Sequence, residues 1–254
     1  MLSPLRARAP VPVERAALFG SVFLLAAAAW IALAASGGEA QPYTHSHGLH
    51  DNASPRVFLA FLTSWTIMTV AMMLPTSLPV LATLHTFARE RTDRWGLVGL
   101  AIAGYVGTWA LFGSLAYVGQ AAWRWMYATF DLRELASAGA PVLLLVAGGF
   151  QFTSLKYRCL EKCRSAFSFV VEHWQGRQER WRSFRLGVSH GIFCVGCCWA
   201  LMTLMFALSG ASLAWMLIIA VVMAIEKNVS WGRQLRVPLG VVLLGWGTLL
   251  LVRS

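Results

Sequence analysis

Every cysteine of the chain falls in one of two clusters: Cys159 with Cys163, and Cys194-Val195-Gly196-Cys197-Cys198. Thiolates and thioethers are soft donors that select Cu(I), Zn or iron–sulfur clusters over hard cations. On a helix each residue advances by about 100°, so with His190 as origin Cys194, Cys197, Cys198, Met202 and Met205 lie within one arc of about 140°. That face would gather thiol, thioether and imidazole donors together. Cys159 and Cys163, at i and i+4, also share a face. The spacing suits a disulfide poorly, whereas two sulfurs placed this way can reach one external atom. A buried cysteine is otherwise a small hydrophobe, and a methionine a flexible gap filler. Three cysteines in five residues go beyond packing needs more readily than single ones do.

Further candidates surround these clusters. Met72-Met73-Leu74-Pro75 places two thioethers beside a proline, which removes the hydrogen bond to the carbonyl of Ala71 and bends a helix. Glu226-Lys227 borders an apolar stretch, where an ionisable group is a functional candidate by default and a local charge pair is the plainer alternative. Lys156 has the same ambiguity, and Gln151 is expected to hydrogen-bond another helix. His45, His47 and His50, with Asp51, form a short tract of borderline and hard donors that could capture a metal. The candidate metal residues are thus Cys159, Cys163, Cys194, Cys197, Cys198, Met72, Met73, Met202, His190 and Glu226.

The elements that position them are apolar. Of 254 residues 57% are hydrophobic and 13% charged, half the charge of an average soluble domain, which excludes an ordinary soluble enzyme and a disordered chain. About 20 apolar helical residues cross a bilayer. Seven stretches approach that length: Ala16 to Ser36, Val57 to Leu84, Trp95 to Ala121, Ala140 to Lys156, Leu186 to Leu208, Ala211 to Glu226 and Val237 to Val252. The expected fold is an all-α, polytopic transmembrane helix bundle. Residues 1–56 would form an N-terminal membrane helix and His-rich outer loop, and residues 57–254 a six-helix domain. The net charge of +10 fits a topology signal rather than nucleic-acid binding. An inside N-terminus leaves only Arg56, Arg124, Arg133 and Arg253 outside, so 17 of the 21 basic residues lie inside, giving N-in, C-out. The first stretch carries a signal-like Ala32-Leu33-Ala34, but its apolar run exceeds a typical signal core. The basic, aromatic segment from Arg158 to Arg185 reads as an interfacial amphipathic helix or a solvated inner loop.

Taken together, these residues resemble DUF2182, a family of bacterial integral membrane proteins described as predicted metal binders. The resemblance rests on Trp65…Met68…Ala71-Met72-Met73…Pro75, on Gly149…Gln151…Lys156…Cys159-Leu160…Cys163-Arg164, on His190-Gly191…Cys194…Gly196-Cys197-Cys198-Trp199…Leu201-Met202, and on Trp215-Met216…Glu226-Lys227. It covers about Val57 to Leu251, and Cys-x-Gly-Cys-Cys-Trp is its most specific piece. The family often has a proline shortly after the Cys-Arg pair, where this chain has Ser165-Ala166. The resemblance implies metal binding in a bacterial inner membrane.

Three functions compete. The first is a soft-metal protein, with copper as Cu(I) ahead of zinc, that binds, transfers or transports the ion within the lipid bilayer and exchanges it with a donor or acceptor protein. The second is a quinone-coupled thiol oxidoreductase using the Cys194-Val195-Gly196-Cys197 spacing, although no cysteine faces the outer compartment. The third is an assembly subunit whose cysteines merely pack. The chain has no P-loop and no Gly-x-Ser-x-Gly elbow, which argues against an ATP-driven pump or a serine hydrolase.

Overall fold

The computed structural model describes residues 12–36, 54–130, 139–174, 178–207 and 213–253. Among them there are ten α-helices and no strand. They are α1 (Pro12–Ala35), α2 (Pro55–Met73), α3 (Leu78–Phe87), α4 (Arg94–Thr129), α5 (Gly139–Phe150), α6 (Ser154–Arg164), α7 (Ala166–His173), α8 (Glu179–Ala207), α9 (Leu213–Asn228) and α10 (Arg236–Arg253). The fold is an all-α bundle. Five of its helical segments are long and apolar enough to cross a membrane: α1, α2, α4, α8, and α10 with the 3₁₀ turn before it. Helices α5 and α9 coincide with two further expected stretches but span only 12 and 16 residues.

Two of the seven expected stretches are broken. Val57 to Leu84 divides at Leu74-Pro75, where a 3₁₀ turn from Pro75 to Ser77 separates α2 from α3. The hydroxyls of Thr76 and Ser77 donate back to the Met73 carbonyl at 2.7 and 3.3 Å, satisfying a group left open because the Ser77 N–H turns to Leu74 instead. Ala140 to Lys156 stops at Phe150. Helix α6 then starts afresh behind Thr153, whose hydroxyl accepts from the Lys156 backbone N–H at 3.3 Å. Among its described residues, the basic segment from Arg158 to Arg185 is mostly helical and not one helix. It forms the rest of α6, then α7, which buries Phe169 and Val170 against the bundle, and then the first turns of α8, which starts at Glu179 rather than Leu186.

The bundle is organised around α8, whose most extensive partner is α4. Small residues let these two backbones meet. A Cβ on Gly187 would sit 2.0 Å from the Ala101 carbonyl oxygen, and one on Gly104 would sit 2.3 Å from that of Phe184. Such small-residue crossings bring apolar helices together without a hydrophobic driving force between them. Trp65 then ties α2 to α4, its indole N–H donating to the Trp109 carbonyl at 2.8 Å. At one end the starts of α1, α4 and α8 are laced by charge: Arg94 grips Glu14 through two bonds of 2.7 and 3.1 Å, and Arg91 bridges Asp93 and Glu179. The Arg91 guanidinium holds the Asp93 carboxyl below the usual carboxylate range.

Candidate functional site

Helix α6 is held against α9 at two points, and these decide where its cysteines go. Near its start, Lys156 donates to both carboxylate oxygens of Glu226 at 2.9 and 2.8 Å, with both side chains buried. At its end, Arg164 donates to the backbone carbonyls of Glu226, Val229 and Ser230, filling the acceptors that the C-terminus of α9 leaves open. Between these anchors α6 turns one stripe inward: Lys156, Cys159, Leu160 and Cys163. The i, i+3, i+4, i+7 spacing of that stripe faces α8.

There the two cysteine clusters of the sequence become one. The Cys163 thiol lies within electrostatic reach of those of Cys194 and Cys197, and Cys194 likewise of Cys198. The sulfurs of Cys197 and Cys198 are 3.3 Å apart, and the Cys197 thiol donates to the Cys194 carbonyl at 3.2 Å. All five cysteines are free thiols, and Cys194, Cys197 and Cys198 are at most 1% exposed. Cys159 stands slightly apart. Its sulfur rests on Gly196, where a Cβ would come within 2.6 Å, so that glycine is what lets α6 lie close to α8.

The remaining sequence candidates divide. Met73 reaches the cluster through Lys227, whose ammonium donates to the Met73 sulfur at 3.4 Å, to Cys194 Sγ at 2.9 Å and to Thr76 Oγ1 at 3.2 Å. Met72 and Met202 are buried in the surrounding core with no polar contact to the thiols. His190 sits one turn before Cys194. Its Nε2 lies 3.3 Å from Ser77 Oγ and its ring stacks on Tyr105, while its Nδ1 is buried without a partner. Glu226 belongs to the Lys156 ion pair, and its chain neighbour Lys227 is the residue of α9 that faces the thiols. Gln151, expected to bond another helix, is fully buried with neither amide atom bonded. His45, His47, His50 and Asp51 lie outside the described residues.

Sequence reasoning missed three members of the site. Tyr105 of α4 shares a 3.0 Å hydrogen bond with Cys194 Sγ, while Thr76 and Ser77 are turned inward by the break at Pro75. Tyr105 offered a signal, as an amphipathic side chain in the middle of an otherwise apolar helix. Lys227 was visible only as a local partner for Glu226.

The donors gathered here are soft, with four thiols and one thioether. Among the described residues no three His, Cys, Asp or Glu side chains are already spread as a metal cage; the sulfurs contact one another and the Lys227 ammonium instead. Residues 62–250, about three quarters of the chain, match the family PpoB2, described as a copper chaperone. The chain belongs to that family. No curated protein and no solved structure gives a match. For a member of a copper chaperone family, an all-sulfur donor group is the chemically fitting part of the molecule, since Cu(I) prefers thiolate and thioether over oxygen. The matched residues take in both cysteine clusters, Met73 and Lys227, and leave out α1.

Proposed function

We propose that the protein is a multi-pass membrane protein of the bacterial inner membrane that binds Cu(I) and passes it on, by transfer or transport, through Cys163, Cys194, Cys197, Cys198 and Met73. The observation that carries this reading is the convergence of four thiols from two helices at one buried point, in a copper chaperone family. Two or three of these sulfurs suffice for Cu(I), which is content with low coordination by soft ligands, and the remainder can hand the ion along. Copper is the cargo, so its binding must be reversible: a site that binds too tightly does not release. Cys159, Met72, Met202 and His190 surround the group and would tune it. Glu226 would act only by fixing α6.

The bilayer setting is supported by side chains such as Leu111, Leu115 and Val241, which are 59 to 64% exposed in mid-helix and would be poorly tolerated in water. A protein donor or acceptor would work at the end where Arg91 and Arg94 meet Glu14 and Glu179. X-ray absorption on reduced, copper-loaded protein is expected to give a sulfur-only shell, and Cys197→Ser with Cys198→Ser to abolish it while helicity is retained. Wild-type protein that holds no stoichiometric copper, and instead forms disulfides when given a quinone, would replace this reading with a thiol oxidoreductase.

A further inference from the structure

Beside the thiols lies a cleft of about 970 Å³, opening between α1, α3, α7 and α9 and lined by Arg15, Phe19, Thr76, Arg164, Phe167 and Asn228 among others. One residue of its lining, Thr76, touches the inner group, because its hydroxyl accepts from Lys227. The ammonium thus stands between the cleft and Cys194. Its three protons are directed at three acceptors, Thr76 Oγ1, Met73 Sδ and Cys194 Sγ, at 3.2, 3.4 and 2.9 Å. Lys227 itself is only 6% exposed. Glu226, the acidic side chain next to it, is already taken by Lys156, so the sulfurs and the Thr76 hydroxyl are what Lys227 has for company.

From this arrangement we propose that Lys227 is a tethered cation occupying the seat of the incoming metal, closing the thiols off from the cleft until Cu(I) arrives there and displaces it. The inference rests on the copper reading above and adds the route and the gate. A metal ion at Cys194 and Met73 and an ammonium at the same two sulfurs exclude each other by charge and by volume. The side chain has somewhere to go, because its four-carbon stem can swing the head group into the cleft, which Ala224 and Asn228 of the same helix already line. In the loaded state the displaced ammonium stays close enough to offset the negative charge of a Cu(I)–thiolate group in a poorly solvated interior. A neutral side chain would leave the seat open to other soft cations, so the lysine also imposes a threshold: an ion enters only if its bond to sulfur outweighs the hydrogen bonds it breaks.

The chain contains three lysines, Lys156, Lys162 and Lys227, which makes the displacement directly readable. Lys156 is fully buried against Glu226, and the Lys162 side chain is 51% exposed. Full-length protein in detergent is acetylated with a water-soluble succinimidyl ester, metal-free or loaded with Ag(I), a soft monovalent probe without redox chemistry, and modification is mapped by peptide mass spectrometry. Of the three lysines, only Lys162 is expected to react in the metal-free protein. With Ag(I) bound, Lys227 is expected to react roughly tenfold faster or more, as a buried group does once released to solvent, while Lys156 stays protected and so reports an intact bundle. Lys227 remaining protected with silver on the thiols would overturn the gate, as would exposure of Lys156 together with Lys227, or failure of silver to bind the cysteines at all. If silver releases Lys227 but the protein takes up no Cu(I), the gate stands and the copper assignment falls. If Cu(I) binds sulfur and Lys227 never moves, the reverse holds.

Discussion

At the residue scale the costliest feature is the ion pair of Lys156 and Glu226, two charges withdrawn from solvent together. Such a pair repays its desolvation only through good geometry, and removing one partner strands the other charge, at about 3–5 kcal/mol. Glu226→Gln and Lys156→Met are each expected to lower unfolding stability by that order, whereas Lys156→Met with Glu226→Leu should recover most of the loss; chemical denaturation in detergent measures both. Equal loss in the double variant would mean the pair does more than hold α6 to α9. The sequence pointed to both residues but not to their partnership, because they are 70 positions apart. It left open whether Glu226 pairs with Lys227 or accepts from another helix; neighbours on a helix diverge by about 100° and do not both face one group. One turns to Lys156, the other to the thiols.

At the element scale the glycines decide which helices touch. Gly187→Ala would drive a methyl into the Ala101 carbonyl and push α8 from α4, an overpacking cost of about 1–3 kcal/mol. Gly99→Ala, on α4 with nothing within 4 Å of its added Cβ, is the matched control and is expected to be neutral or to stabilise by up to about 1 kcal/mol. Thermal unfolding followed by circular dichroism separates the two, and similar melting temperatures would show that the crossing is not close-packed as described. Helix identity was legible from hydropathy, and the shared face of Cys194, Cys197 and Cys198 followed from helical spacing alone. What hydropathy could not mark was the interruption at Phe150 and the turn at Pro75, since apolar residues continue across both. Those breaks depend on single polar groups, Thr153 in one case and the Thr76 and Ser77 hydroxyls in the other, finding a carbonyl or N–H to serve.

At the scale of the whole molecule, the ends differ in character. Arg91, Arg94 and Arg180 meet Glu14, Asp93 and Glu179 where α1, α4 and α8 begin, and Arg15 and Arg164 flank the cleft. Under the orientation expected from the charge division of the sequence, this is the inner end. Reporter fusions after Asn52 and after Gln175 are therefore expected to report opposite compartments, and the same compartment for both would reverse or break the topology. Merging of Cys163 with the α8 cysteines was beyond sequence reading, which left the two clusters apart, because the fold of α6 back onto α8 follows from Arg164 and Lys156 gripping α9.

The depth of the sulfurs carries a consequence about time. If the proposed site holds the ion, thiols as deeply placed as Cys194, Cys197 and Cys198, at most 1% exposed, leave no room for a side chain of another protein to bond it at the same time. Handover by a shared intermediate, in which two proteins grip one ion at once, would then be sterically closed. The ion would have to leave one coordination sphere before it completes the next, so the pace of exchange would belong to the opening of the buried site, the Lys227 gate included, rather than to the affinity or the abundance of whatever waits outside. On the proposed function, such a protein would act as a clock on its cargo: it would hold an ion of modest affinity long enough for the right recipient to arrive, and withhold it from a stronger competitor that arrives while the chamber is shut.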